Sequence, residues 1–173
     1  MIRLIDGRIA RKLSSIRQAF RAGITRVNSG PNISLIQLGG VAGEMLQDNE
    51  LMQQYGFTSH PPVGSVGIVL PLGGKTSQAV IIATEHTAYR LKDLQEGEVA
   101  VYNTFGASVI LHADGSVSVN SAASVSITAT DTVTVNAPLV NVPNGDVTAS
   151  GISLINHKHT GVQAGSSQTG IAI

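Results

Sequence analysis

The segment SVSVNSAASVSITATDTVTVNAPLVNV, residues 116–142, decides the fold of this chain. Within it one short phrase returns every seven or eight residues: an apolar side chain, a Ser, Thr or Asn, and a second apolar side chain. Val117 and Val119 carry the first copy, Val125 and Ile127 the second, Val133 and Val135 the third, Val140 and Val142 the fourth. A period of two within each phrase puts both apolar side chains on one face of a strand and leaves Ser118, Ser126, Thr134 and Asn141 on the other. The longer spacing stacks one strand per copy. With almost no large side chains in the segment, a single chain buries its valines poorly. Two solutions remain open: a single-chain sandwich of short strands, or several chains wound together. The second is favoured, because a stack charged only at Asp114, Asp131 and Asp146 would offer its strand edges to other chains. Three chains about one axis pair those edges and hide the valines.

The composition sets further bounds. Eleven Lys and Arg balance eleven Asp and Glu over 173 residues, yet the balance conceals an asymmetry. Arg3, Arg8, Arg11, Lys12, Arg17, Arg21 and Arg26 crowd the start against a lone Asp6, whereas Lys158 is the one basic residue beyond Tyr102. Different parts of the chain are therefore expected to meet different surroundings. Aromatic residues are sparse and Gly is abundant, which favours turns and thin packed layers over a large core. Cysteine is absent, so no disulfide or thiolate metal site can form. No stretch approaches the length of a membrane span, and the start lacks the apolar run of a secretory signal, so export by that route is not expected.

Along the chain, Asp6 is placed to cap a helix from Gly7 to Ala22 with Ile9, Leu13, Ile16 and Phe20 on one face and a basic opposite face. Residues 1–22 read as a docking segment. A membrane surface or nucleic acid would accept the same pattern, and a neighbouring subunit is preferred. From residue 23 to 98 the signals are strands and turns. Asn32 to Leu38 alternates; Gly67–Leu72 and Ala79–Thr84 flank Gly73, Gly74 and Lys75 as a hairpin; His60, Pro61, Pro62 and Gly64 mark a sharp turn. Five or so short strands with Gly-rich corners predict an all-β architecture opening on a closed barrel of oligonucleotide/oligosaccharide-binding (OB-fold) topology. Nucleic-acid binding is not expected of it, because Arg26, Lys75, Arg90 and Lys92 face several acids and Tyr55, Phe57 and Tyr89 make a thin set of stacking platforms. Residues 99–156 are expected as the stalk, with bends at Asn103–Gly106, Ala113–Ser116 and Asn144–Asp146.

The carboxy-terminal segment, residues 157–173, opens on His157, Lys158 and His159. In extended chain, positions two apart point the same way, so both imidazoles can face one axis. One chain supplies two ligands, too few for a stable site; three chains supply six neutral nitrogens, a set suited to iron or nickel rather than to four-coordinate zinc. An exposed turn is the alternative for an isolated His-x-His pair. A filled shell has no place for substrate, so such a metal would be a structural clasp. His60, His86 and His112 have no ligand spacing and read as solvated or satisfied structural residues. Glu44, Asp48 and Glu50 read as a solvated loop. No nucleophile elbow, phosphate loop or carboxylate pair stands out, and an enzyme is not expected.

Several stretches resemble a known family. Tyr55-Gly56-Phe57-Thr58-Ser59-His60-Pro61-Pro62, then Gly73-Gly74 and Leu94-Gln95-Glu96-Gly97-Glu98, are similar to the barrel of the central spike proteins of contractile-tailed bacteriophages (baseplate assembly protein V) in their Mu-like branch. His157-Lys158-His159-Thr160-Gly161-Val162, with Gly165 and Thr169-Gly170 behind it, resembles that family's apex. The resemblance implies a homotrimer: an OB-fold barrel on the baseplate hub protein, an intertwined triple-stranded β-helix, and a tip that crosses the host outer membrane, located on the virion tail baseplate. It also implies one iron ion per trimer held by six histidines, here His157 and His159 of each chain. Some members place calcium and chloride in the spike; Asp146 is a candidate cation ligand and Lys158 a candidate anion neighbour. The corresponding spike of a phage-tail-like bacteriocin or secretion machine would use the same parts. From another class, an oligosaccharide-binding adhesin would need exposed aromatic platforms that this chain mostly lacks.

Overall fold

The computed structural model describes residues 12, 16–30, 32–161 and 165, and among these it is almost wholly β structure and turns. Five strands, β1 (Phe20–Asn28), β2 (Leu35–Gly39), β3 (Met45–Leu51), β4 (Val66–Pro71) and β5 (Ala79–Glu85), close a barrel in the order β1-β2-β3-β5-β4. Neighbours are antiparallel except β3 and β5, which run parallel. This is the OB-like barrel that the strand and turn pattern predicts. The long β1 makes closure possible: its first half pairs with β4 from Phe20↔Val69 to Gly23↔Val66, and its second half pairs with β2 as far as Asn28↔Leu35.

The barrel interior is small and aliphatic. Ile24, Ile36, Leu38, Val69 and Ile81 are fully enclosed, with Ala22, Leu46, Leu51 and Ala79 completing the core. The alternation read from the sequence holds along β2, where Ile36 and Leu38 point inward and Leu35 and Gln37 do not. With no aromatic ring in that core the walls lie close together, and Gly67 on β4 marks the tightest place. A Cβ there would come within 3.1 Å of Leu38 Cδ2 and 3.3 Å of Ile81 Cγ2.

Two sequence expectations need correction. The segment holding Glu44, Asp48 and Glu50 is not a solvated loop, since Met45 to Leu51 is β3 and a wall of the barrel. Its period of two is broken by a bulge: Ile36 and Leu38 of β2 face Asn49 and Leu46, so β3 carries one extra residue, with Asp48 at φ 53°. The buried Asn49 donates a side-chain hydrogen bond to the Gln47 carbonyl across that bulge (3.2 Å). Nor does a helix run to Ala22, because Phe20, Arg21 and Ala22 are the opening residues of β1 and pair with β4. Barrel closure outweighs the local helical spacing there. Ile16 lies against Gly74, and Arg17 donates its backbone N–H to the Gly74 carbonyl (3.2 Å). The Arg17 guanidinium sits 3.8 Å over the Phe20 ring and pairs with Glu44 at 2.6 Å. Residues 7–11 and 13–15 of the expected helix fall outside the described residues.

The chain divides into two compact units, residues 1–125 and 126–173. After the barrel, the first unit holds an antiparallel sheet of β6 (Val99–Tyr102), β7 (Ser108–Leu111) and β8 (Val117–Asn120) with β7 in the middle. Both expected bends join these strands. Asn103 Oδ1 accepts from the Phe105 and Ala107 amides in one, and Asp114 Oδ1 accepts from the amide and hydroxyl of Ser116 in the other. In the second unit, β9 (Thr148–Ala149) and β10 (Ile152–Ser153) make a short hairpin. Residues 121–147 contain no strand, and Val125, Ile127, Val133, Val135, Val140 and Val142 are all exposed in the single chain.

Candidate metal centre

The two histidines follow directly on the β9–β10 hairpin, which is built to hold its shape with very few residues. Its turn, Ser150-Gly151, has positive φ at both positions (51° and 82°), the conformation of the two-residue turns whose twist matches a hairpin. Leu154 N–H donates to the Val147 carbonyl (2.8 Å) and extends the pairing by one step. At the open end Asp146 closes the loop: its Oδ1 accepts from the amides of Val147 (2.8 Å) and Ile155 (3.2 Å). The Ser153 hydroxyl, then these amides, hold the Asp146 carboxyl below the usual aspartate range. Ser153 Oγ also accepts the Asn156 amide (2.7 Å). The candidate cation ligand is thus already engaged in organising the hairpin.

His157 is fixed by the same turn. Its amide donates to the Ser153 carbonyl, and its ring Nδ1 lies 3.0 Å and 3.1 Å from the carbonyl oxygens of Ser153 and Leu154. Carbonyl oxygens only accept, so a neutral ring here carries its proton on Nδ1 and keeps the Nε2 lone pair as the one that could bind a metal. The His159 ring stands edge-on to that of His157, with centroids 5.1 Å apart and planes at 79°. Two imidazoles bound side by side to one ion, with metal–nitrogen bonds of about 2.1 Å, have centroids roughly 4.5 Å apart. The observed ring separation is about half an ångström larger than that. Among the described residues no group of three or more His, Asp or Glu could hold a metal, so a complete shell needs ligands from beyond this set.

The remaining histidines have local partners. His60 Nδ1 lies 3.1 Å from Ser29 Oγ; His86 Nδ1 accepts the Ala88 amide and its ring packs on Tyr89 at 4.3 Å. His112 bridges Glu98 (3.3 Å) and Ser118 (2.8 Å) across the β6–β8 sheet. Glu98 in turn accepts from the amides of Gln95 and Ala113, which together with His112 lower its carboxyl pKa. Sequence reasoning missed that clamp and the Asp146 loop closure. An Asp just ahead of a short Thr/Ser-rich hairpin was the available signal for the second.

A closed OB-like barrel near the start and a His-x-His pair just after a small hairpin near the end are the two features that the comparisons with known proteins single out. Residues 21–88 match the family described as Bacteriophage Mu Gp45, N-terminal, a span that takes in nearly all of the barrel, and residues 151–170 match the GpV Apex motif, which includes both histidines. The chain is also 26% identical over 152 residues to the "Baseplate puncturing device gp45" of Escherichia phage Mu, covering 85% of this chain and 76% of that protein. These matches, in this order along the chain, support a Mu-like central spike.

Proposed function

We propose that this protein is the puncturing spike of a contractile phage tail, a homotrimer mounted through its barrel on the baseplate hub with its histidine-bearing apex directed at the host outer membrane. The observation that carries the reading is the exposed row of valines between the barrel and the apex motif, a surface one chain leaves uncovered and three chains can bury. The role is mechanical. Stalk strands paired between chains resist bending, their Ser, Thr and Asn faces stay outward, and the apex ion ties the three ends together. His157 and His159 of each chain supply six imidazole nitrogens, a shell that suits iron and leaves no position for a substrate. Such an ion, when bound, contributes cross-linking between chains, while Asp146 and Ser153 hold the His157 ring ready.

Native mass measurement combined with elemental analysis tests the proposal. The expected result is three chains and one transition-metal ion, with the double substitution His157→Ala and His159→Ala losing the metal and keeping the trimer. A folded monomer at micromolar concentration, one metal per chain, or a double variant that retains its metal would each overturn it.

A further inference from the structure

Asn144-Gly145 is the one place in the sequence where an asparagine is followed by glycine. The pair lies in an exposed turn just ahead of the β9–β10 hairpin, with Asp146 next in the chain. The backbone nitrogen that follows an asparagine can attack its side-chain amide, and glycine hinders that attack least, having no Cβ and the freest backbone. Two other asparagines precede serine, the next smallest hindrance among the residues that follow them with a hydroxyl, and both are held. Asn28 Oδ1 accepts the Gly30 amide (3.1 Å), and Asn120 Nδ2 donates to Ser108 Oγ (3.2 Å). The carboxylate of Asp114, ahead of Gly115, is likewise engaged by the amide and hydroxyl of Ser116. Among the described residues, no hydrogen bond restrains the Asn144 side chain or the Gly145 amide.

We propose that Asn144 is a modification site, where the chain deamidates itself without an enzyme. The Gly145 nitrogen bonds to Asn144 Cγ, the Cγ–Nδ2 bond breaks, and the side-chain nitrogen leaves as ammonia, taking up the proton that the Gly145 nitrogen gives up. A five-membered succinimide results. Water then opens the ring at either carbonyl: breaking the Cγ–nitrogen bond gives aspartate, and breaking the main-chain carbon–nitrogen bond gives isoaspartate. Because the attacking nitrogen must shed its proton, base speeds the reaction. Either product replaces a neutral amide with a carboxylate two positions ahead of Asp146. Isoaspartate also lengthens the main chain by one carbon, next but one to the residue whose Oδ1 gathers the Val147 and Ile155 amides. The hairpin that leads to His157 therefore has an ageing site at its entrance. This inference holds whether the chain acts singly or as a trimer.

Digestion by a protease that cuts ahead of aspartate tests this, since cuts at Asp131 and Asp146 isolate residues 131–145. Native full-length protein is held for days in mildly alkaline buffer, beside samples in mildly acid buffer and in urea, and its peptides are weighed. The expected result in the native alkaline sample is a 131–145 peptide about one mass unit heavier, the uncut isoaspartate form, together with a new cut ahead of residue 144 from aspartate. Both should grow more slowly in acid, and the peptides holding Asn28 and Asn120 should keep their mass. Gly145→Ala should slow both products several-fold while sparing the turn: φ at Gly145 is not positive, and an added Cβ would meet Val142 Cγ1 at 3.6 Å, an ordinary contact. An Asn144 that stays intact in the folded protein, whether or not the urea sample reacts, would refute the assignment. So would a rate that Gly145→Ala leaves unchanged, or equal loss at Asn28 and Asn120.

Discussion

At Gly67 the barrel has room for a hydrogen atom and little else, since any side chain would press on Leu38 and Ile81. Gly67→Val should therefore destabilise the barrel by about 1–3 kcal/mol through overpacking, read as a lowered midpoint in chemical denaturation. A neutral substitution would mean that β4 can move away from β2 and β5. The backbone at Gly67 is ordinary, so the cost would come from volume alone. The same scale shows what could be read in advance. Ile36 and Leu38 were legible as sharing a face because β2 keeps its period of two. β3 was not, because Asp48 adds a residue and Asn49 occupies an inward position where an apolar side chain would have signalled a strand. Arg17 was read as part of a basic face, yet its guanidinium is committed to Phe20 and Glu44, a pairing between residues 27 apart that no local pattern reports.

Among the elements, the β9–β10 hairpin is one whose integrity should depend on acid. Folding lowers the Asp146 pKa, so the ionised carboxylate stabilises the hairpin at every pH above the unfolded value of about 3.9. That contribution disappears as pH falls through the lower folded value. Protection of the Val147 and Ile155 amides, taken relative to the intrinsic exchange rate at each pH, should accordingly hold from neutral pH to about pH 4 and fall below it. Asp146→Asn keeps an accepting oxygen and should flatten this dependence, while Asp146→Ala should quicken exchange at all pH values. Protection that persists unchanged to strongly acidic pH in the wild type would take the carboxylate out of this role. The positions of the turns at Asn103, Ala113, Asn144 and Gly151 follow from local chemistry, and the first three were legible as bends. That the expected helix cannot extend to Ala22 was invisible in the segment itself, because Phe20 to Ala22 join β1 through pairing with β4.

For the whole molecule, the stalk valines supply the decisive test. Val125→Asp or Val133→Asp would place three carboxylates together in a dry interior and should abolish trimer formation, seen as loss of the trimer peak in sedimentation. Normal yield from both variants would put those side chains outside. The barrel should in turn show no salt-sensitive, submicromolar affinity for single-stranded DNA when the intact protein is assayed by fluorescence anisotropy. The barrel and, behind it, the apex motif were legible because each has its own pattern of turns and residues. The changeover at Asn120 was not, since the same Val-x-Val phrase serves both the self-paired sheet and the unpaired segment after it. That repetition has a consequence for assembly. Four near-identical phrases could align one repeat out of phase between chains at small cost, as strands with weakly distinguished side chains do. Strands β6 to β8 complete their own pairing and can form before any partner arrives, so in the proposed trimer each chain would enter the repeat from a sheet already in register. An ion shared by the histidines at the other end, as proposed above, would then accept only chains that had stayed in phase and would proofread the winding as well as lock it.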